Sequence, residues 1–252
     1  MSENTDTMKD TAIISLKNLS FSYTADVKNS HPVLHDITFS LKPGQRIGLY
    51  GPNGSGKTTL FRCITGLLHP QHGHILFHGI PLESEKDFHM LRCRVGFVLQ
   101  HADDQLFFPN VLEDVAFGPL NLGMSEDAAK QRALETLKDL GLTGFEDRLT
   151  HRLSGGEKKL VSLATVLAMQ PEALLLDEPT NDLDATARQR IIEILDNLHT
   201  ARITVSHDWD FLTQVSDDFT TIDHGRLHPF APSLTHAHLH AHPLGNIPHE
   251  HQ

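Results

Sequence analysis

The run Gly51-Pro52-Asn53-Gly54-Ser55-Gly56-Lys57-Thr58-Thr59 matches the pattern G-x-x-x-x-G-K-[ST]. Glycines at these spacings let the backbone curl until several N–H groups face one concavity. At the start of a helix such a nest holds phosphate oxygens. Lys57 would reach the β- and γ-phosphates of a nucleotide, and the Thr58 hydroxyl would ligate Mg²⁺. Further on, Leu174-Leu175-Leu176 is an apolar run that ends in Asp177-Glu178. A carboxylate at the end of a buried strand can hold Mg²⁺ through its water shell, which suits Asp177. Glu178 is then placed to act as the general base that orients an attacking water. By itself such a run is a strand with a polar end. Downstream of a phosphate loop it supplies the second half of a phosphoryl-transfer site.

These residues need a strand before the loop and a helix after it. Residues 46–50 read as a strand, and 57–67 carry Leu60, Ile64 and Leu67 on one helical face. Other strands read at 13–16, 37–41, 74–78 and 94–99, with Pro43-Gly44 as the clearest turn. Ser125 is an N-cap for a helix with Leu134, Leu137 and Leu140 in a stripe, and Gly141 sits where the helix should stop. A second helix spans 156–169 and a third 185–198. The runs 173–176 and 203–206 suit strands of a parallel sheet buried on both faces. Strand, loop and helix, then a helical block, then strand-helix-strand indicate an α/β nucleotide-binding core with a helical lobe.

Composition limits the function classes. The 252 residues are 39% hydrophobic and 21% charged, as in an ordinary globular domain, and carry a net charge of -11. An acidic surplus argues against sequence-independent nucleic-acid binding, which needs Lys and Arg in excess. Cys63 and Cys93 are the only cysteines, which fits a reducing compartment. The polar N-terminus carries no secretory signal, and no uncharged apolar run approaches the ~20 residues that span a bilayer.

Leu153-Ser154-Gly155-Gly156-Glu157 resembles the LSGGQ signature of ATP-binding-cassette proteins, with Glu157 where that family usually has Gln. Physically, Ser154 and the two glycine N–H groups open a helix and make a second anion-binding tip. The resemblance covers roughly residues 13–228. It implies a P-loop NTPase with a parallel-sheet core, an N-terminal antiparallel β subdomain and an inserted helical subdomain at about 101–168. It also implies ATP and Mg²⁺ as cofactors, with each ATP held between the phosphate loop of one subunit and the signature of another. Tyr23 resembles the aromatic that stacks on adenine, and Gln100 the glutamine that senses Mg²⁺ and the attacking water. Asp184 resembles the aspartate that links the two composite sites, and it also suits a helix N-cap. His207 resembles the switch histidine that contacts the γ-phosphate.

The stretches 99–107 and 111–118, with Leu153 to Leu160, are similar to the ATPase subunits of energy-coupling-factor importers of vitamins or transition-metal ions. This implies a transmembrane coupling subunit, a substrate-binding membrane subunit, and a second copy or a related ATPase at the cytoplasmic face of the membrane. Asp103 and Asp104 are expected either to pair with arginines of that membrane partner or to form a solvated acidic loop. In the tail, 229–252, His236, His238, His240 and His242 recur at every second position and could bind Ni²⁺, Zn²⁺, Cu²⁺ or Co²⁺. The same pattern fits a polar tail with incidental metal affinity. It favours nickel or cobalt as cargo, with a vitamin as the alternative. A non-transport cassette ATPase lacks its expected coiled-coil heptads here. A nickel store with a vestigial site is at odds with intact Lys57, Asp177, Glu178 and His207.

Overall fold

The computed structural model describes residues 12–23 and 32–229. The chain opens with strands β1 (Ile14–Phe21), β2 (Leu34–Leu41) and β3 (Arg46–Tyr50), then helix α1 (Lys57–Ile64). Strands β4 (His72–Phe77) and β5 (Ile80–Pro81), helix α2 (Glu85–Arg92) and strand β6 (Val95–Val98) follow. A helical block of α3 (Val111–Asn121), α4 (Glu126–Asp139) and α5 (Gly155–Leu167) comes next. The chain closes with β7 (Ala173–Asp177), α6 (Ala185–Asn197), β8 (Ala201–Ser206), α7 (Trp209–Val215) and the hairpin β9 (Asp218–Asp223) and β10 (Arg226–Pro229).

Two sheets result. One is antiparallel in the order β2-β1-β4-β5. The other runs β10-β9-β3-β8-β7-β6, parallel throughout except for the terminal hairpin. Every residue of β7 and β8 is buried, as expected for central parallel strands covered on both faces. Leu16, Leu34, Phe61 and Leu175 belong to a core between the antiparallel sheet, α1 and one face of the parallel sheet. Val115, Ala133, Leu137, Leu160 and Leu176 belong to a second core under the helical lobe on the other face.

Local chemistry explains the boundaries. In α4 the Ser125 hydroxyl accepts the Ala128 N–H. At its other end Gly141 takes φ 68°, and the Leu142 N–H reaches back to the Leu137 carbonyl at 2.7 Å, a glycine-terminated helix end as expected. Helix α1 stops at Ile64 rather than residue 67, because Gly66 turns left-handed (φ 74°) directly against the Phe88 ring. Strand β1 runs beyond residue 16 to Phe21 through register shifts, with Asn18 at φ 52° and its side-chain amide donating to Asp36 at 2.7 Å. Helices α2, α3 and α7 and the strands β5, β9 and β10 have no counterpart among the sequence-based elements.

Candidate active site

The C-terminal ends of β3, β6, β7 and β8 lie side by side, and the chemistry-bearing residues follow those ends. This is where ligands bind in parallel α/β sheets. The loop after β3 holds Gly51 to Gly56. Gly54 and Gly56 take positive φ of 79° and 105°, a region that glycine enters without steric cost. A Cβ on Gly56 would stand 2.9 Å from the Val33 carbonyl oxygen, and one on Gly51 2.6 Å from that of Ile222. Lys57 is buried and its ammonium donates to the Gly51 and Pro52 carbonyls at 2.7 and 2.9 Å. Burial pushes its pKa down, while the charges of Glu178 and Asp177 act the other way.

A cleft of ≈ 400 Å³ is lined by Tyr23, Asn53, Gly54, Gly56, Lys57, Thr58, Thr59, Gln100, Asp177 and Glu178. Tyr23 is exposed at its rim; its hydroxyl is 3.0 Å from the Thr59 hydroxyl and its ring stands edge-on to Phe21. A larger cleft of ≈ 720 Å³ between α4 and α6 contains none of these residues.

At the end of β7 the two acids differ in surroundings. Asp177 is buried, and burial pushes its carboxyl pKa up against the lowering effect of a Thr58 hydrogen bond. Glu178 has φ 46°. A non-glycine residue in this region carries backbone strain, which clusters at functional positions. Its Oε2 accepts from the Ser206 hydroxyl at 3.2 Å and the His207 N–H at 3.3 Å, with His207 Nδ1 at 3.0 Å. Asp177 Oδ1, Glu178 Oε1 and Ser55 Oγ are buried with no partner among the described residues. Unpartnered buried oxygens are costly. Here they cluster beside a phosphate-type nest.

Gln100 follows β6 and lines the same cleft. Its backbone carbonyl and that of Leu99 each accept from the Lys159 ammonium at 2.8 Å. Lys159 is buried, and desolvation pushes its pKa down to about 8. Lys158, one residue earlier, donates to Asp103 at 2.6 Å, so Asp103 already has a cationic partner within the chain. The Gln105 amide completes the strap, donating to the Ser162 carbonyl and the Thr165 hydroxyl.

Ser154, Gly156 and Glu157 lie elsewhere. With Asp184 and Ala187 they line a separate depression at the first turns of α5 and α6. The Ser154 N–H donates to Glu157 Oε2 at 2.8 Å and the Glu157 N–H to Ser154 Oγ at 3.3 Å, a reciprocal capping box. Asp184 caps α6 by accepting the Ala187 N–H at 2.8 Å. A Cβ on Gly156 would fall 2.7 Å from the Ala187 Cβ. Gly156→Val should therefore push α5 off α6 and cost about 1–3 kcal/mol in urea unfolding; an unchanged midpoint would show that the two turns separate freely.

Thus the phosphate loop, Tyr23, Gln100, Asp177 and Glu178 come together, with His207 bound to Glu178. Ser154, Gly155, Gly156, Glu157 and Asp184 form a second group. His236, His238, His240 and His242 lie outside the described residues, among which no cluster of three or more metal-binding side chains occurs. Sequence reasoning missed Ser206 and Lys159. Lys159 had a signal: it stands on the face shared by Leu163 and Val166, where an unpartnered lysine would not be tolerated. Ser206 carried none.

A glycine-rich phosphate loop between a parallel strand and a helix, facing paired acids on a neighbouring strand, defines a P-loop nucleoside triphosphatase. A family model described as ABC transporter matches residues 34–181, and the chain belongs to that family as an ATP-binding, ATP-hydrolysing cassette. It is 50% identical over 239 residues to a putative ABC transporter ATP-binding protein of Nitratidesulfovibrio vulgaris, covering 95% of this chain and 86% of that protein. It is 43% identical over 219 residues to the energy-coupling factor transporter ATP-binding protein EcfA of Methanothermobacter thermautotrophicus, covering 85% of this chain and 69% of that one. Among solved structures, cbiO1 from Clostridium perfringens, described as part of the ABC transporter complex cbiONQ, superposes with a TM-score of 0.76. It is 34% identical and the match covers 87% of this chain and 88% of cbiO1.

Proposed function

We propose that the chain is the motor subunit of an energy-coupling-factor importer. A transmembrane coupling subunit, beside a substrate-binding membrane subunit, would hold it at the cytoplasmic face of the membrane. The likeness to EcfA and to cbiO1 supports this reading. No helix among the described residues is long and apolar enough to cross a membrane. Residues 1–228 form the cassette, with its helical lobe at about 101–168, and 229–252 a histidine-rich tail.

One observation carries the motor reading: Lys57, Thr58, Gln100, Asp177 and Glu178 line one cleft while Ser154, Gly156 and Asp184 line another. A phosphate group bound in the first cleft thus meets the signature of a second copy or a related ATPase. ATP binding closes such a sandwich and hydrolysis reopens it. Mg²⁺ fits the site, because Asp177 Oδ1 is a buried acceptor without a partner among the described residues. Thr58, Gln100 and Asp177 would hold it. When bound it neutralises charge on the β- and γ-phosphates. Tyr23 stacks on the adenine, Lys57 holds the terminal phosphates, Glu178 orients the attacking water and His207 contacts the γ-phosphate.

The cargo is nickel or cobalt, supported by the alternation of His236, His238, His240 and His242. In cells carrying the intact system, labelled nickel or cobalt should accumulate with wild type and not with Glu178→Gln. If neither metal depends on Glu178 while ATP is still hydrolysed, the metal assignment falls and vitamins are the next cargo to test.

A further inference from the structure

The signature carries an acid at a tip that has to receive an anion. Glu157 is the third residue of α5, and the helix end it caps offers its N–H groups to phosphate. The Ser154 N–H above all, with the charge of Arg148 as a smaller cause, holds the Glu157 carboxyl below the usual carboxylate range. It is therefore ionised at neutral pH. An ionised carboxylate beside an incoming triphosphate is repulsive.

Arg148 stands against that carboxylate. Its Nη1 donates to Glu157 Oε1 at 2.9 Å, while Oε2 is taken by the Ser154 N–H at 2.8 Å. The guanidinium carbon lies 3.7 Å from the Phe145 ring centroid, so the side chain is braced on its other face. The backbone at Arg148 is also held: its carbonyl accepts the Val111 N–H at 3.1 Å, and Leu149 bridges to Asn110. Both side chains remain partly exposed, 49% for Arg148 and 32% for Glu157. A pair this exposed contributes little to folding.

We propose that Arg148 is a positioning residue of the signature, one that neutralises Glu157 so that an acidic capping box can accept the γ-phosphate of ATP bound to the opposite subunit. The inference rests on the sandwich reading above. Glu157 keeps the helix end closed by its bond to the Ser154 N–H, and Arg148 removes the charge this closure would otherwise present to the nucleotide. Glutamine at this position caps without charge and needs no such partner.

The test uses the full-length chain with Glu178→Gln to retain ATP, together with any ATPase partner it purifies with, and measures by sedimentation the ATP concentration that half-saturates dimerisation. Arg148→Ala should raise that concentration about tenfold, the scale of one uncompensated charge several ångströms from a phosphate. Arg148→Lys should stay near the parent. Adding Glu157→Gln to Arg148→Ala should restore the value to within about twofold of Glu157→Gln alone, because the charge that needed cancelling is gone. Thermal midpoints should move by no more than a few degrees throughout. A double variant as impaired as Arg148→Ala means that Arg148 acts through structure, and an unimpaired Arg148→Ala means that no charge needs cancelling; either overturns the proposal. Ser154→Arg separates the two readings. If it dimerises on ATP like the parent, or if the parent never dimerises on ATP, the sandwich itself is wrong and this inference falls with it.

Discussion

Glu178→Gln lowers ATP hydrolysis by about 10²–10⁴-fold, the usual contribution of a positioned general base, while ATP binding persists. The expectation follows from what the substitution leaves in place. Glu178 Oε2 is fixed by Ser206 and His207, and Oε1 is buried without a partner among the described residues. Gln keeps the shape and the acceptor oxygen but cannot take a proton. The left-handed backbone at residue 178 is unchanged by an isosteric swap, so the fold survives. Phosphate release from the purified chain and equilibrium binding of ATP separate the two effects. Wild-type turnover in the variant would place the base elsewhere, and loss of ATP binding would show that Glu178 is structural.

The second large effect concerns Lys159. Two peptide carbonyls, Leu99 and Gln100, depend on its ammonium, and those carbonyls set the course of the chain that presents Gln100 to the cleft. Lys159→Ala leaves both acceptors unpaired and opens a gap under α5, so urea unfolding should report about 3 kcal/mol of lost stability. Lys159→Met fills the gap but leaves both carbonyls unpaired, so it should recover only part of that loss. Both should lose turnover by a similar factor, about ten- to a hundredfold, because small misplacements around a reacting group have effects of this size. If Lys159→Met turns over like wild type, the strap is ornamental and Gln100 finds its place without it.

The comparison of Lys159 with Lys57 shows what could be read from the chain alone. Lys57 was legible because its role is written in contiguous residues: loop, strand and helix all lie between 46 and 67. The same holds for 173–178, where an unbroken apolar run ending in paired acids suits a strand covered on both faces. Helix α4 announced both its ends through Ser125 and Gly141. Lys159 acts across 59 and 60 residues of chain, and no local pattern records such a partner. Helix α3 escaped for a different reason. It contains Gly118-Pro119, a pair that disfavours a helix interior, yet Asn110 caps its start by accepting the Glu113 N–H at 2.9 Å, and Gly118 sits where a Cβ would come within 2.6 Å of Met169. The glycine that weakens the helix locally is what lets it pack on the end of α5. The link between Glu178 and Ser206 likewise appears only once β7 and β8 lie side by side.

Strand β7 belongs to two cores at once. Ala173 and Leu175 face the side shared with the antiparallel sheet, and Leu174 and Leu176 the side under the helical lobe. The interior of the lobe is therefore completed by residues outside it. A chimera that exchanges residues 101–168 between relatives inherits part of its packing surface from the recipient. Compatibility would be decided in part at Leu174 and Leu176, outside the exchanged segment, and a donor lobe matched to smaller residues there would be overpacked.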